Sequence, residues 1–146
     1  MDGADVPVTL GRVLSILGAG VAVSGASLPW IQVNAIVTTL PRSGLDREGW
    51  ITIALALLVI GIATLRSWNR LDQSAVVACG TAVFTVGAIY VADLSFGIQV
   101  LPAGGLVEEV GREFSDPGIG VYVTAVGGLL MLAGGLVGIF TRRRHP

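Results

Sequence analysis

The chain has 146 residues, of which 53% are hydrophobic and only 13% are charged, and its formal net charge at pH 7 is −1. A soluble domain usually carries about 25% charged residues, so this composition excludes an ordinary water-facing globule. The mean hydropathy of +0.79 predicts an integral membrane protein. The length suits a single domain over residues 1–146, with the lipid bilayer as its first partner and no nucleic-acid partner.

Cysteine and histidine are too few for a metal or redox centre. The single cysteine, Cys79, cannot form an intrachain disulfide or a Cys-x-x-Cys pair, and the only histidine, His145, is the penultimate residue. The sequence also contains no nucleophile–base pair, metal-ligand cluster or phosphate-binding glycine motif. We therefore expect no cofactor and no enzymatic activity.

Four apolar segments are the predicted elements, at about residues 9–31, 50–66, 74–97 and 118–140. Each approaches or exceeds the roughly 20 residues that an α-helix needs to cross about 30 Å of hydrocarbon. Lipid offers the backbone no hydrogen-bond partner, so crossing segments are expected to be helical. The predicted fold is an all-α membrane protein built as a bundle of four transmembrane helices.

The first segment also has features of a cleaved signal peptide. The stretch "GRVLSILGAGVAVSGAS" combines one arginine, an apolar run and small residues at Ser24 and Ala26. However, Asp2 and Asp5 precede that arginine, and the apolar run continues through "LPWI". These features favour a retained span, with cleavage as the alternative.

The loop after the first segment begins with β-branched residues, which favour strands. It predicts a short outer strand or β-hairpin against the helix ends, formed by Ile31, Val33, Ile36 and Val37.

The third segment contains one acidic residue, Asp93. If the helix begins near Ser74, a rise of about 1.5 Å per residue puts Asp93 about 28 Å along it, at the outer boundary of the hydrocarbon. A helix end at the interface is therefore the preferred interpretation. An ion or proton site is the alternative, because an acidic group at mid-membrane is a functional candidate by default.

The loop before the fourth segment, "GGLVEEVGREFSDPG", predicts a short amphipathic helix on the outer surface. Its apolar residues fall on one helical face, formed by Leu106, Val107, Val110 and Phe114. The sequence Asp116-Pro117-Gly118 is expected to end this helix and start the fourth span.

Glycine recurs every seven residues in the first and last segments, and we expect these two helices to pack against each other through their glycine faces. A seven-residue repeat keeps one face turned toward a neighbour in a left-handed bundle, and small residues on that face let helix backbones approach closely. The second and third segments carry shorter versions, Ala54 with Gly61 and Gly80 with Gly87. The predicted packing residues are Gly11, Gly18, Gly25, Gly61, Gly80, Gly87, Gly120, Gly127, Gly134 and Gly138.

The arginines predict the orientation, because cytoplasmic loops are enriched in basic residues. Three lie on the predicted outer side: Arg42, Arg47 and Arg112. Six lie on the other side: Arg12, Arg66, Arg70, Arg142, Arg143 and Arg144. The prediction is a multi-pass protein of the cell membrane with both termini in the cytoplasm.

The pattern "LPW", a short loop to "GLDREGW" and a glycine-rich last span after "DPGIG" resembles uncharacterised small four-span membrane proteins of haloarchaea and high-GC bacteria. This resemblance implies a membrane location and does not point to any particular activity. The outline is also similar to the claudin-type tetraspan plan, whose first loop has a Trp, a Gly-Leu-Trp and two cysteines. Trp30 has no such companions, so claudin function is not implied. Small multidrug transporters rely on a glutamate in the first helix, and the apolar core of this first span has no acidic residue.

The preferred functional hypothesis is a non-enzymatic structural or accessory membrane protein that packs with itself or with a larger membrane complex. The alternative is a small channel or transporter that uses Asp93 and the acidic outer loops.

Overall fold

The computed structural model describes residues 5–34, 39–43, 49–92 and 115–141. Within these ranges the order of elements is α1 (Asp5–Ser27), β1 (Pro29–Asn34), β2 (Thr39–Ser43), α2 (Gly49–Leu65), α3 (Arg70–Ala92), β3 (Ser115–Pro117) and α4 (Ile119–Thr141). By length and composition, α1, α3 and α4 can each cross a membrane, whereas α2 is a shorter apolar helix of 17 residues. The chain is therefore a helical protein with three candidate membrane-spanning helices.

Helix α4 runs antiparallel to α1, and glycines on both helices bring the two backbones together. A Cβ placed on Gly18 would lie 2.6 Å from the Met131 nitrogen, and one on Gly127 would lie 2.5 Å from the Ala22 nitrogen. Real Cβ contacts essentially never fall below 3.0 Å, so backbone atoms of each helix occupy the space where a side chain would begin on the other. The predicted glycines at this contact are Gly11, Gly18, Gly25, Gly120, Gly127 and Gly134.

Helix α4 packs on its other side against α3, also through glycine. A Cβ on Gly80 would lie 2.6 Å from the Leu132 nitrogen, and Gly87 also faces α4. From α4, Gly128 and Gly135 face α3 in the same way, and these two glycines were not among the predicted packing residues. Helix α4 thus lies between α1 and α3, with one glycine row toward each.

Helix α2 packs against α1 and α3 through a different face from the predicted one, and Gly61 is the one packing glycine that the structure contradicts. A Cβ on Gly61 would meet nothing within 4 Å, and Ala54 is exposed. The buried residues of α2 follow another series, in which spacings of three and four residues alternate: Gly49, Thr52, Ala56, Val59 and Ala63. Because this series also repeats every seven residues, the repeat alone did not identify which of the two faces is buried.

The helix boundaries differ from the predicted spans where local chemistry overrides hydropathy. Helix α1 ends at Ser27 rather than near residue 31, because Pro29 cannot continue a helix and the chain enters β1 there. Helix α3 begins at Arg70 rather than near residue 74, because a polar cap precedes the apolar run.

A three-stranded sheet, rather than the predicted short strand or two-stranded hairpin, lies beyond the helix ends. Strand β1 is central in the order β2-β1-β3 and pairs antiparallel with both neighbours. The third strand, Ser115–Pro117, contains two residues of the Asp116-Pro117-Gly118 sequence, and α4 begins at Ile119, directly after Gly118, as expected. Gly118 donates its N–H to the Trp30 carbonyl oxygen at 2.7 Å, and a Cβ on Gly118 would collide with the Pro29 carbonyl. Only glycine fits this crossing from β3 into α4.

Several predicted features lie outside the described residues, and for them the sequence predictions stand alone. They are Asp93, Ile36, Val37, the amphipathic segment 106–114 and the arginines at 142–144.

The glycine contacts predict a position-specific loss of stability. Substituting Gly18 or Gly127 with alanine forces a Cβ into backbone atoms of the facing helix, and we expect a loss of about 1–3 kcal/mol. Gly20 is the matched control, because a Cβ there would meet nothing within 4 Å. Thermal unfolding of the three variants in one detergent measures the difference. Equal losses at all three positions would contradict close packing at Gly18 and Gly127.

Candidate functional site

All charged side chains that the structure describes lie at one end of the bundle. Arg66 follows α2, Arg70 and Asp72 lie in the first turn of α3, and Arg12 reaches them from α1. This end, which we call the polar turn, comprises Arg12 and residues 65–73. It is the one cluster of charged side chains within the described ranges. The rest of their interior is filled by small and apolar side chains, with buried hydroxyls at Ser15, Thr52 and Thr124.

A reciprocal cap starts α3. The Asp72 N–H donates to Asn69 Oδ1 at 3.0 Å, and the Asn69 N–H donates to Asp72 Oδ2 at 3.1 Å. This is the arrangement of a capping box, in which the side chains at both ends of the first turn satisfy N–H groups that have no helical partner. The cap explains why the helix begins at Arg70 although the apolar run begins later.

The same carboxylate forms an ion pair. Arg66 Nε donates to Asp72 Oδ1 at 2.8 Å, and the Asp72 side chain is 4% exposed whereas the Arg66 side chain is 61% exposed. A pair that faces solvent on one side is screened, so its contribution to stability is at most about 1 kcal/mol. Its clearer consequence is structural, because it ties the end of α2 to the first turn of α3.

Trp68 is the buried centre of the polar turn. Its side chain is fully buried, and its backbone has φ 58°, in the left-handed region that non-glycine residues rarely adopt. The Arg12 guanidinium lies over its indole, 5.7 Å from the ring centroid, at cation–π distance. Arg12 Nη2 also donates to the Arg66 carbonyl oxygen at 2.9 Å, so one side chain of α1 holds both the ring and the end of α2.

Three buried polar atoms in the polar turn have no hydrogen-bond partner within the described structure: Arg12 Nε, Trp68 Nε1 and Gln73 Oε1. The other end of the Gln73 amide is bonded, because its Nε2 donates to the Trp68 carbonyl oxygen at 3.2 Å. The side chains of Trp68 and Gln73 both pack against Gly138, where a Cβ would lie 2.9 Å from Trp68 Nε1. Gly138 therefore makes room for the turn.

The opposite end of the bundle is closed by an aromatic pair. The rings of Trp30 and Tyr90 meet edge to face at a centroid distance of 5.1 Å, and Trp30 Nε1 donates to the Gly25 carbonyl oxygen at 3.0 Å. Asp93, the predicted ion-site candidate, follows this end in sequence but lies outside the described residues, so its role stays a prediction.

The side chains of the polar turn are suited to hydrogen bonding and ionic contacts. It presents guanidinium groups, an indole and an amide, and its single carboxylate is already paired. Among the described residues, no three His, Cys, Asp or Glu side chains gather as metal ligands. Cys79 is a buried core residue near the middle of α3.

In the sequence, Arg12, Arg66 and Arg70 predict the orientation of the chain, but no local pattern groups the three into a cluster. A usable signal was present in Asn69-x-x-Asp72, which has capping-box spacing directly before an apolar run. The contact of Arg12 with the turn joins residues 54 positions apart, and no local pattern indicates it.

Comparison with known proteins adds no family: no family model matches the chain, and no curated protein matches it.

The double role of Asp72 predicts that its removal costs more than removal of its ion-pair partner. Asp72→Ala loses the bond from the Asn69 N–H as well as the ion pair, whereas Asn69 Oδ1 still accepts from the backbone N–H of residue 72. We expect a loss of about 1–2 kcal/mol, mostly because the Asn69 N–H is left without a partner. Arg66→Gln loses only a screened pair, and we expect less than about 1 kcal/mol. Thermal unfolding at low and high salt separates the two effects, because only the pair weakens with salt. A larger loss for Arg66→Gln would contradict this division.

Proposed function

We propose that the protein is a non-enzymatic, four-span membrane protein that associates laterally with a second copy of itself or with a larger membrane complex. In this proposal α2 crosses the membrane together with the three longer helices. The bundle is left-handed, and both termini face the cytoplasm. The outer face of α3 carries the proposal.

The middle of the outer face of α3 is made of small residues, whereas Leu71, Ile89 and Val91 are exposed nearer its ends. Along the middle of this helix the exposed residues are Ser74, Ala78, Thr81, Ala82 and Thr85. Ser74 and Thr81 donate their hydroxyls to carbonyl oxygens one turn earlier, so the face presents little free polarity. Small residues of this kind are what transmembrane helices place at contacts with other helices.

The other outer faces have a different composition. The exposed positions of α2 include Leu57 and Leu58, and those of α4 include Tyr122, Val126 and Leu129. Large apolar side chains are suited to contact with lipid tails, because the tails are equally apolar. The contrast supports a protein neighbour for α3 and lipid neighbours for α2 and α4.

The distribution of charge supports a packing role over the channel alternative. Every charged side chain that the structure describes belongs to the polar turn. The described interior between the two ends is lined by small and apolar residues, with buried hydroxyls at Ser15, Thr52 and Thr124 and no charged side chain. An ion path would need polar groups along its length. The channel alternative rests on Asp93 and on outer-loop acidic residues, most of which lie outside the described residues.

The proposed orientation predicts the labelling of two serines. In a Cys79-free background, a cysteine at Ser43 is expected to react with a membrane-impermeant reagent from outside the cell, and a cysteine at Ser67 only after permeabilisation. The reason is the excess of arginines on the side of Ser67. Labelling of Ser67 but not Ser43 in intact cells would overturn the orientation without affecting the fold.

Lateral association predicts selective cross-linking through α3. In a Cys79→Ala background, cysteines at Ala78 or Ala82 are expected to form disulfide-linked products under mild oxidation in native membranes. Cysteines at Leu58 and Val126 are the matched controls, because both positions are exposed but belong to the large apolar faces.

Mass spectrometry of the cross-linked products identifies the neighbour. A product twice the mass of the chain supports self-association, and a product with another membrane protein supports an accessory role. Equal products from all four positions, or none from Ala78 and Ala82, would contradict the proposal.

A further inference from the structure

The polar turn carries the two most exposed large apolar side chains that the structure describes. Leu65 is 87% exposed and Leu71 is 79% exposed, and they bracket the turn between α2 and α3. Each is next in sequence to an exposed arginine, Arg66 or Arg70. Leucines beside arginines at the end of an apolar bundle are typical of a segment at the membrane surface, where the leucines enter the acyl region and the arginines stay at the headgroups.

The charge of the polar turn is mostly unbalanced within the described structure. Three arginines face one carboxylate, and Asp72 is buried with its oxygens bonded to Arg66 Nε and the Asn69 N–H. Arg70 forms no ion pair with any residue that the structure describes, and Arg12 Nε is buried without a hydrogen-bond partner. The outward-facing chemistry is therefore cationic, because the carboxylate lies beneath its own arginine.

We propose that the polar turn binds the phosphate group of an anionic phospholipid. The exposed guanidinium groups of Arg66 and Arg70 would hold the phosphate oxygens, for which the planar donor fork of arginine is well matched, and Leu65 and Leu71 would lie among the acyl chains. The surface fits a lipid better than a soluble phosphate because the leucines are exposed on both sides of the charge. This lipid site does not depend on the lateral association through α3.

Lipid retention by the intact protein tests the site. The protein is reconstituted in nanodiscs with equal amounts of phosphatidylglycerol and phosphatidylcholine, and native mass spectrometry counts the lipids that stay bound on release. We expect a preference for phosphatidylglycerol that falls about fivefold in Arg70→Gln, the factor that corresponds to about 1 kcal/mol for one arginine near an anionic surface. Arg70→Lys keeps the charge and is expected to keep most of the preference.

Two further variants separate the turn from other sources of binding. Replacing Arg142, Arg143 and Arg144 with glutamine removes the basic tail, and we expect the phosphatidylglycerol preference to persist. Replacing Leu65 and Leu71 with serine is expected to lower retention of both lipids, because their acyl contacts are lost. Unchanged thermal unfolding of Arg70→Gln shows that the turn is intact.

The lipid site is wrong if Arg70→Gln keeps the full preference, or if the preference disappears with the tail arginines alone. Glycerol 1-phosphate tests the soluble source: if it displaces phosphatidylglycerol at equal concentration, the site binds phosphate without a lipid. A dimer that is lost in Arg70→Gln while lipid retention is unchanged would assign the turn to a protein contact instead.

Discussion

The constraint on which the rest of the structure depends is that α4 packs its backbone against two neighbours at once. Lipid tails are as apolar as leucine, so membrane helices gain little from burial of apolar surface and depend on van der Waals contact. Contact is greatest where no side chain separates the backbones. The doublets Gly127-Gly128 and Gly134-Gly135 meet this need on two sides, with the first glycine of each toward α1 and the second toward α3. Each glycine in a helix costs about 0.5–1 kcal/mol relative to alanine, and the contacts it permits must offset that cost.

The same close approach fixes both ends of the bundle. At one end, Gly138 leaves the space that the Trp68 ring and the Gln73 side chain occupy, so the polar turn can close over α4. At the other end, a Cβ on Gly120 would lie 2.8 Å from the Trp30 ring, so that glycine lets the aromatic pair reach α4. Glycine therefore determines where the polar residues lie as well as how the helices pack.

The features that the sequence predicts best are those that depend on a single physical effect. Hydropathy identified the three long apolar helices, because nothing but a helix satisfies the backbone in lipid. The seven-residue repeats of Gly18 and Gly127 identified the contact between the first and last helices. The same reasoning failed for α2, where two faces share that period and only tertiary contact with the neighbours buries Ala56 and Val59 rather than Gly61.

Features that join distant parts of the chain were not predictable. Strand β3 has three residues and pairs with β1 over a separation of more than 80 positions, so no local alternation indicates it. The polar turn contains one feature that the sequence predicts and one that it does not. The cap formed by Asn69 and Asp72 is local and has a readable spacing, whereas the placement of Arg12 over Trp68 follows from how α1 packs. A single sequence therefore predicts the local cap but not the long-range contact between Arg12 and Trp68.

The geometry of α3 relates the two proposals to each other. Arg70 lies four residues before Ser74, and residues four apart on a helix are neighbours on the same face. The lipid site would therefore lie at the end of the same outer face that carries Ala78 and Ala82. A phosphate held there would neutralise positive charge that would otherwise repel the same residue of a second copy, and its acyl chains would border the small-residue face. A lipid at the polar turn would in this way favour association along α3, since it lowers the electrostatic cost at one end while the helices pack through the middle.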